Sequence, residues 1–160
     1  MECNSNCKTC ASVCAKSCPI CGTKGKKVSN VTVKSLIKGD FLFDKTQSAY
    51  ICVNKKCSVV YYQENYPKYY NKEEVKVPIW FKEKYNQYIV CYCHQIYLND
   101  IVELVQHIDE QNVTKKEVLK YLNKQEQEDC LHLNPLGECC DTLFQNAIAY
   151  AYKQKQEGKQ

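Results

Sequence analysis

The residues in this chain equipped for chemistry are its cysteines, 13 in 160 residues, grouped at spacings that differ from one region to the next. Cys18-Pro19-Ile20-Cys21-Gly22 is a C-x2-C-G knuckle. Its short spacer lets two thiolates converge on one ion, and Gly22 permits the turn that faces backbone amides toward sulfur. Cys52 and Cys57 form a C-x4-C pair at the junction of two expected strands. Four thiolates from two hairpin-like loops make the closed tetrahedral set of a structural zinc site, with no His or carboxylate placed to leave a position open for catalysis. The plainer alternative puts Cys52 and Cys57 on strand faces as small hydrophobes. Rubredoxin-like iron, the other metal for such a set, normally sits between two short-spaced knuckles.

A second set follows. Cys91-Tyr92-Cys93 is tighter than the common zinc knuckle and suits two thiolates on one iron of a cluster. Its partners lie in Cys130-Leu131-His132-Leu133-Asn134-Pro135-Leu136-Gly137-Glu138-Cys139-Cys140, where Pro135 and Gly137 make a turn that returns Cys139 or Cys140 toward Cys130 at a helix start. Amides at a helix N-terminus stabilise negative charge there. A third group, Cys3, Cys7, Cys10 and Cys14, is spaced 4, 3 and 4 residues apart, which on a helix is one face. Soft thiolates at that spacing suit Cu(I) or another thiophilic ion such as zinc; the bland reading is a thiol-rich tail with no defined ligand. Cys3-x3-Cys7-x2-Cys10 also has radical-SAM spacing, but no barrel-sized α/β region follows it. Of the three histidines, His132 lies in the cluster loop and His107 near a helix end, where a role outside the ligand set or at the surface is expected.

Composition narrows what these thiols are for. The N-terminus lacks a basic, apolar and small-residue leader, so a reducing, cytoplasmic setting is expected, in which close-spaced thiols bind metal rather than form disulfides. The odd cysteine total fits a complete disulfide framework poorly. No run of about 18 apolar residues occurs, so membrane insertion is not expected. All 22 basic residues are Lys, at a net charge of +4. Without the bidentate forks of Arg, no nucleic-acid partner is expected, and the charge reads as a solvated lysine surface.

The elements that must position the thiols read as an α+β chain: a small β-rich zinc-binding unit followed by a three-helix cluster-binding unit. The expected divisions are a Cys-rich extension at 1–17, a β-rich part at 18–80, a link at 81–90, a helical part at 91–155 and a tail at 156–160. Strands are expected over Val28–Ile37, Phe41–Phe43, Ala49–Val53, Val59–Gln63 and Glu74–Ile79 from their β-branched and aromatic content. Tyr61-Tyr62 and Tyr69-Tyr70 form either a ribbon core or an exposed aromatic strip. Helices are expected after Asn99-Asp100, carrying Ile101, Leu104, Val105 and Ile108; after the Thr114-Lys115-Lys116-Glu117 capping box; and from about Asp141 to Lys155.

These motifs resemble, in order, the N-terminal metal-binding half of CopZ-type copper chaperones. The resemblance is carried by Cys18-Pro19-x-Cys21, Cys52-x4-Cys57 followed by Val59-Val60-Tyr61, Val90-Cys91-Tyr92-Cys93, and Cys130 with Asn134-Pro135-x-Gly137-x-Cys139-Cys140. The helical part is also similar to the [2Fe–2S] domain of bacterioferritin-associated ferredoxins. The resemblance implies zinc on Cys18, Cys21, Cys52 and Cys57, and a [2Fe–2S] cluster on Cys91, Cys93, Cys130 and one of the adjacent pair. Analogy with the ferredoxin motif points to Cys139, with Cys140 as the alternative. Full-length chaperones of this type carry a heavy-metal-associated domain with an M-x-C-x-x-C copper site. The only Met here is Met1, so copper delivery through that domain is not expected of this sequence, and the N-terminal thiols are the segment left to hold Cu(I).

The expected function is a zinc- and [2Fe–2S]-binding metalloprotein for electron transfer linked to copper handling, with a redox partner protein and a copper transporter or copper-binding protein as partners. A ferredoxin-like redox adaptor unrelated to copper and a zinc-ribbon interaction module are the alternatives. No nucleophile, base and orienter can be assembled from the spacing, so no enzyme is expected.

Overall fold

The computed structural model of the protein describes residues 17–84, 88–108, 112–125 and 128–158. Cys3, Cys7, Cys10 and Cys14 lie outside the described residues. The chain divides at Val77/Pro78 into two compact units.

The first unit is an antiparallel sheet of β1 (Lys26–Val28), β2 (Ala49–Ile51), β3 (Val59–Gln63) and β4 (Tyr69–Asn71), in that order. Tyr50 pairs with Tyr62, and Tyr61 with Tyr70, across the sheet. The tyrosines form a ribbon core rather than an exposed strip: Tyr50, Tyr61, Tyr62 and Tyr70 are all buried, and the Tyr50 and Tyr62 rings stack at 5.8 Å. Ala49–Val53 and Val59–Gln63 coincide closely with β2 and β3, while β4 had no counterpart in the expected strands.

The stretch Val28–Ile37, expected as one strand, is β1 ending at Val28 followed by helix α1 (Asn30–Leu36). The Ser29 hydroxyl caps it, accepting the Val31 amide at 3.2 Å. Thr32, Val33 and Leu36 share its buried side, so burial of one face and a cap outweigh the β-branched content. Phe41–Phe43 is also not a strand. Phe43 packs at 4.8 Å on Tyr70, and the loop is held by side chains instead of a ladder. The Tyr70 hydroxyl donates to the Asp40 carbonyl (3.0 Å) and accepts from the Leu42 amide (2.7 Å). The buried Gln63 amide accepts from Asp44 N–H at 2.8 Å and donates to the Asp44 carbonyl at 2.7 Å. Glu74–Ile79 reduces to a single 3-10 turn, Lys72–Glu74, and one bridge between Ile37 and Val75.

The second unit begins at Pro78, within the expected β-rich part and ahead of the expected link. A 3-10 turn, Trp80–Lys82, precedes the two-stranded pair β5 (Ile89–Cys91) and β6 (Ile96–Tyr97). Buried Tyr92 ties the two together: its hydroxyl donates to the Pro78 carbonyl at 2.6 Å and accepts from the Trp80 amide at 3.1 Å. Helices follow at α2 (Leu98–His107), α3 (Lys115–Tyr121), α4 (Cys130–Leu133) and α5 (Asp141–Glu157). The three long ones are those the sequence indicated; α4 is one added turn. The Tyr97 amide donates to Asp100 at 2.7 Å, and Thr114 with Glu117 forms the expected capping box of α3. Ile101, Leu104 and Val105 of α2 close a core with Val118, Leu119, Phe144, Ala147 and Ala151. Lys155 of α5 donates to the Val105 carbonyl at 2.8 Å and to the Ile108 carbonyl, satisfying the open end of α2. No helix among the described residues is long and apolar enough to cross a membrane.

Close packing makes Gly25 a sensitive position. A Cβ there would lie 2.2 Å from Tyr62 Oη and 2.7 Å from the Ile51 carbonyl oxygen, and the latter, being backbone, cannot give way. Gly25→Ala is expected to destabilise the first unit by about 1–3 kcal/mol, read as a lower unfolding midpoint. An unchanged midpoint would mean that Tyr62 does not pack against this turn.

Candidate metal centres

The first centre is built by two turns at one end of the sheet. A bridge between Ser17 and Lys24 closes a small hairpin around the knuckle. Within it, Cys18 N–H donates to the Thr23 carbonyl and Gly22 N–H to the Cys18 carbonyl, each at 2.9 Å. Gly22 takes φ +69°, the left-handed conformation that a side chain would resist. The other turn joins β2 to β3. Cys52 N–H donates to the Val60 carbonyl at 2.8 Å, and the Asn54 side chain accepts the Lys56 amide at 3.0 Å in a turn that delivers Cys57.

The four sulfurs of Cys18, Cys21, Cys52 and Cys57 all lie within 4.8 Å of one another. Cys18 and Cys57 are 3.9 Å apart, and Cys21 and Cys52 are 3.6 Å apart. Tetrahedral metal–sulfur bonds of about 2.3 Å place their sulfurs about 3.8 Å apart, so the set has the dimensions of an S4 cage. Cys18, Cys52 and Cys57 are buried and Cys21 is half-buried; Cys52 and Cys57 lie in the turn between β2 and β3 with their sulfurs among the other two, not on strand faces. Donors already face the sulfurs. Burial opposes ionisation of Cys21, but the Thr23 hydroxyl and amide, with the Cys52 and Cys18 thiols, outweigh it and bring its pKa down to about 6. Burial pushes Cys57 up, followed by its thiol neighbours, although the Val59 amide donates to it. Burial, then the negative field of Cys18, Cys52 and Cys21, raises the Tyr62 hydroxyl, which stays protonated beside the cage.

The second centre draws on the β5–β6 turn and the segment from α4 to the start of α5. Asn134-Pro135-Leu136-Gly137 is the expected turn. The Asn134 side chain accepts the Leu136 amide at 2.9 Å and donates to the Glu138 carbonyl at 2.8 Å, and Gly137 sits at φ +67°. The return brings the two cysteines to different places. Cys140, at the N-cap of α5, is 2 % exposed and its thiol is hydrogen-bonded to Cys91, whereas Cys139 is exposed and bonded to Asp141. Cys93 and Cys130 have their sulfurs 3.7 Å apart. The thiols therefore pair across the two segments, Cys91 with Cys140 and Cys93 with Cys130, instead of Cys91 with Cys93 as the C-x-C spacing suggested.

Backbone amides converge on this centre too: Asp129 N–H lies 3.3 Å from the Cys93 sulfur, the Cys140 amide faces Cys130 and the His94 amide faces Cys91. The hydrogen bond from Cys140, against burial and with help from His94, lowers Cys91 to about 5; the same bond, together with burial, drives Cys140 far above the ordinary thiol range. Burial, then the Cys93 and Cys139 thiols, raises Cys130 to about 12.

Glu128, Cys139 and Asp141 also offer ligand atoms within 4.8 Å of one another, all exposed. Lys115 already serves the two carboxylates at 2.7 and 2.8 Å, and although burial works against its charge, those two partners hold it well above the ordinary lysine range. His132 is exposed and pairs with Asp129 at 2.7 Å, and exposed His107 bonds the Glu103 carbonyl, both away from sulfur. His94 is the residue sequence reading passed over: it is buried, with Nδ1 3.2 Å from the Cys91 sulfur. The signal available was its place directly after Cys91-Tyr92-Cys93.

Residues 15–76 match the CopZ-type family model described as a zinc binding domain. The copper chaperone CopZ of Archaeoglobus fulgidus is 29% identical over 131 residues, covering 77% of this chain and 57% of the relative; the chain spans little more than half that relative's length. The X-ray structure of the Archaeoglobus fulgidus CopZ N-terminal domain aligns with a TM-score of 0.60 at 27% identity, over 81% of this chain and 95% of that one.

Proposed function

We propose that the protein is a non-enzymatic, CopZ-like metalloprotein that holds zinc in its first unit and a [2Fe–2S] cluster in its second, and that works in electron transfer linked to copper handling. The observation that carries the reading is the contrast between the two thiol sets. Cys18, Cys21, Cys52 and Cys57 form one closed cage of single-ion size. Cys91, Cys93, Cys130 and Cys140 are brought together as two pairs, the arrangement that two metal ions, each taking two protein thiolates, require.

In the first unit, four sulfurs around one ion leave no position for substrate, so zinc there ties the knuckle to the β2–β3 turn and does no chemistry. A [2Fe–2S] cluster supplies exchange of one electron with a redox partner protein. The residues of the second unit supply the rest. The Asp129, Cys140 and His94 amides donate to the sulfurs, α5 presents its N-terminus to them, and the Tyr92 hydroxyl anchors the loop carrying Cys91 and Cys93. Burial favours Cys140 over Cys139 as the fourth ligand. Cu(I) is cargo in this reading, held by Cys3, Cys7, Cys10 and Cys14 and exchanged with a copper transporter or copper-binding protein; the likeness to a copper chaperone supports that part.

Protein purified without oxygen should contain about two irons, two sulfides and one zinc per chain by metal and acid-labile sulfide analysis. Cys140→Ser should lose most of the iron and sulfide while Cys139→Ser keeps them. A colourless, iron-free preparation would leave a zinc-ribbon module, and loss in Cys139→Ser alone would reverse the ligand assignment.

The copper role is separately testable. The full chain should retain Cu(I) against a competing chelator, and the variant with Cys3, Cys7, Cys10 and Cys14 all changed to Ser should not. Equal, weak uptake by both would remove copper and leave a ferredoxin-like adaptor.

A further inference from the structure

His94 is 8 % exposed and sits in the tight β5–β6 turn, followed by Gln95 at φ +52°. Both ring nitrogens face acceptors. Nε2 lies 2.6 Å from the Gln125 carbonyl oxygen, which can only accept, so Nε2 carries a hydrogen. Nδ1 lies 3.2 Å from the Cys91 sulfur. With Cys91 as a bare thiol, that sulfur could donate to Nδ1. With Cys91 as a ligand thiolate it has no hydrogen, and the contact is favourable only if Nδ1 donates. The Gln125 carbonyl holds the ring so that Nδ1 is turned to the Cys91 sulfur, the position from which it can donate to a ligand thiolate.

Direct ligation fits less well. A tetrahedral metal with bonds of about 2.3 Å to sulfur and about 2.1 Å to nitrogen places the two ligand atoms about 3.6 Å apart. The observed 3.2 Å is the separation of an N–H···S hydrogen bond, and the neighbouring thiols Cys140, Cys93 and Cys130 already complete a four-sulfur set.

We propose, building on the [2Fe–2S] reading above, that His94 is a positioning residue of the second centre: held by the Gln125 carbonyl, its Nδ1–H donates to the Cys91 sulfur and raises the reduction potential of the cluster. When the cluster takes up one electron from an external donor, no bond is made or broken and the added negative charge spreads onto the sulfurs. A donor fixed at one sulfur stabilises that reduced state more than the oxidised one. Burial strengthens the effect, because little water screens it. The exposed His132, hydrogen-bonded to Asp129, has no such contact.

The test is a redox titration of the full chain, purified without oxygen, beside His94→Leu and His94→Gln. The leucine variant should keep the visible spectrum of the cluster and shift to a more negative potential; glutamine, which retains an amide donor, should recover part of the shift. Pulsed EPR of wild-type protein carrying histidine labelled with 15N at the ring nitrogens only, reduced by dithionite, should show one weakly coupled 15N, which the unlabelled His94 amide facing Cys91 cannot supply, and this measurement decides the matter even if the leucine variant fails to hold its cluster. A coupling as large as that of a directly bonded imidazole overturns the proposal, as does the absence of histidine coupling or an unshifted potential in a cluster-loaded leucine variant. Wild-type protein without iron overturns this inference together with the cluster reading, whereas a cluster indifferent to His94 overturns this inference alone.

Discussion

Sulfur atoms held within a few ångströms of one another gain little as neutral thiols and repel as thiolates, so a fold that gathers four of them is costly until a cation stands between them. That constraint bears on both units, each of which gathers four cysteines from distant stretches of chain. A unit of about 60 to 80 residues buries only about 60% of the surface its unfolded chain exposes, a marginal core for independent folding. In the first unit, Cys18 and Cys57 are 39 residues apart in sequence with their sulfurs 3.9 Å apart, so an ion bound by both would close that loop as a cross-link does. The sheet, the Gly22 turn and the Asn54 turn are arranged so that four sulfurs reach one point.

The second unit solves the same problem with a different geometry. Its helices bury an apolar core of their own that includes Phe144 and Ile101. The thiols are then drawn from a strand turn and from two helix starts. They converge as two pairs, and amides from Asp129, His94 and Cys140 point at them; the two-iron proposal rests on that arrangement. The two adjacent cysteines are placed differently by the start of α5. Cys140 faces inward at the N-cap of α5, and Cys139, one residue earlier, points to solvent beside Asp141.

Much of this was legible in the residues. The knuckle, the C-x4-C pair, the Thr114 capping box, the Asn134-Pro135-x-Gly137 turn and the last helix all announce themselves through short-range chemistry. What was not legible depended on distant partners. Val28–Ile37 carries strand-like residues, yet the Ser29 cap and the burial of Thr32, Val33 and Leu36 make most of it a helix. Phe41–Phe43 has strand composition, but the Tyr70 and Tyr66 hydroxyls, far along the chain, bond the Leu42 amide and carbonyl in place of a ladder. The choice between Cys139 and Cys140, and the pairing of Cys91 with Cys140, turn on which way a helix start faces, and spacing alone carries no record of that. His94 was missed because the carbonyl that fixes its ring lies 31 residues away.

The central claim is that the first unit is folded by the ion its cysteines enclose. Hydrogen exchange of the full chain, measured before and after zinc is stripped by a chelator under reducing conditions, tests it directly. The account predicts that amides of β2 and β3 lose their protection when zinc leaves and regain it on adding back about one equivalent of zinc. Protection in β2 and β3 that is indifferent to zinc would contradict it.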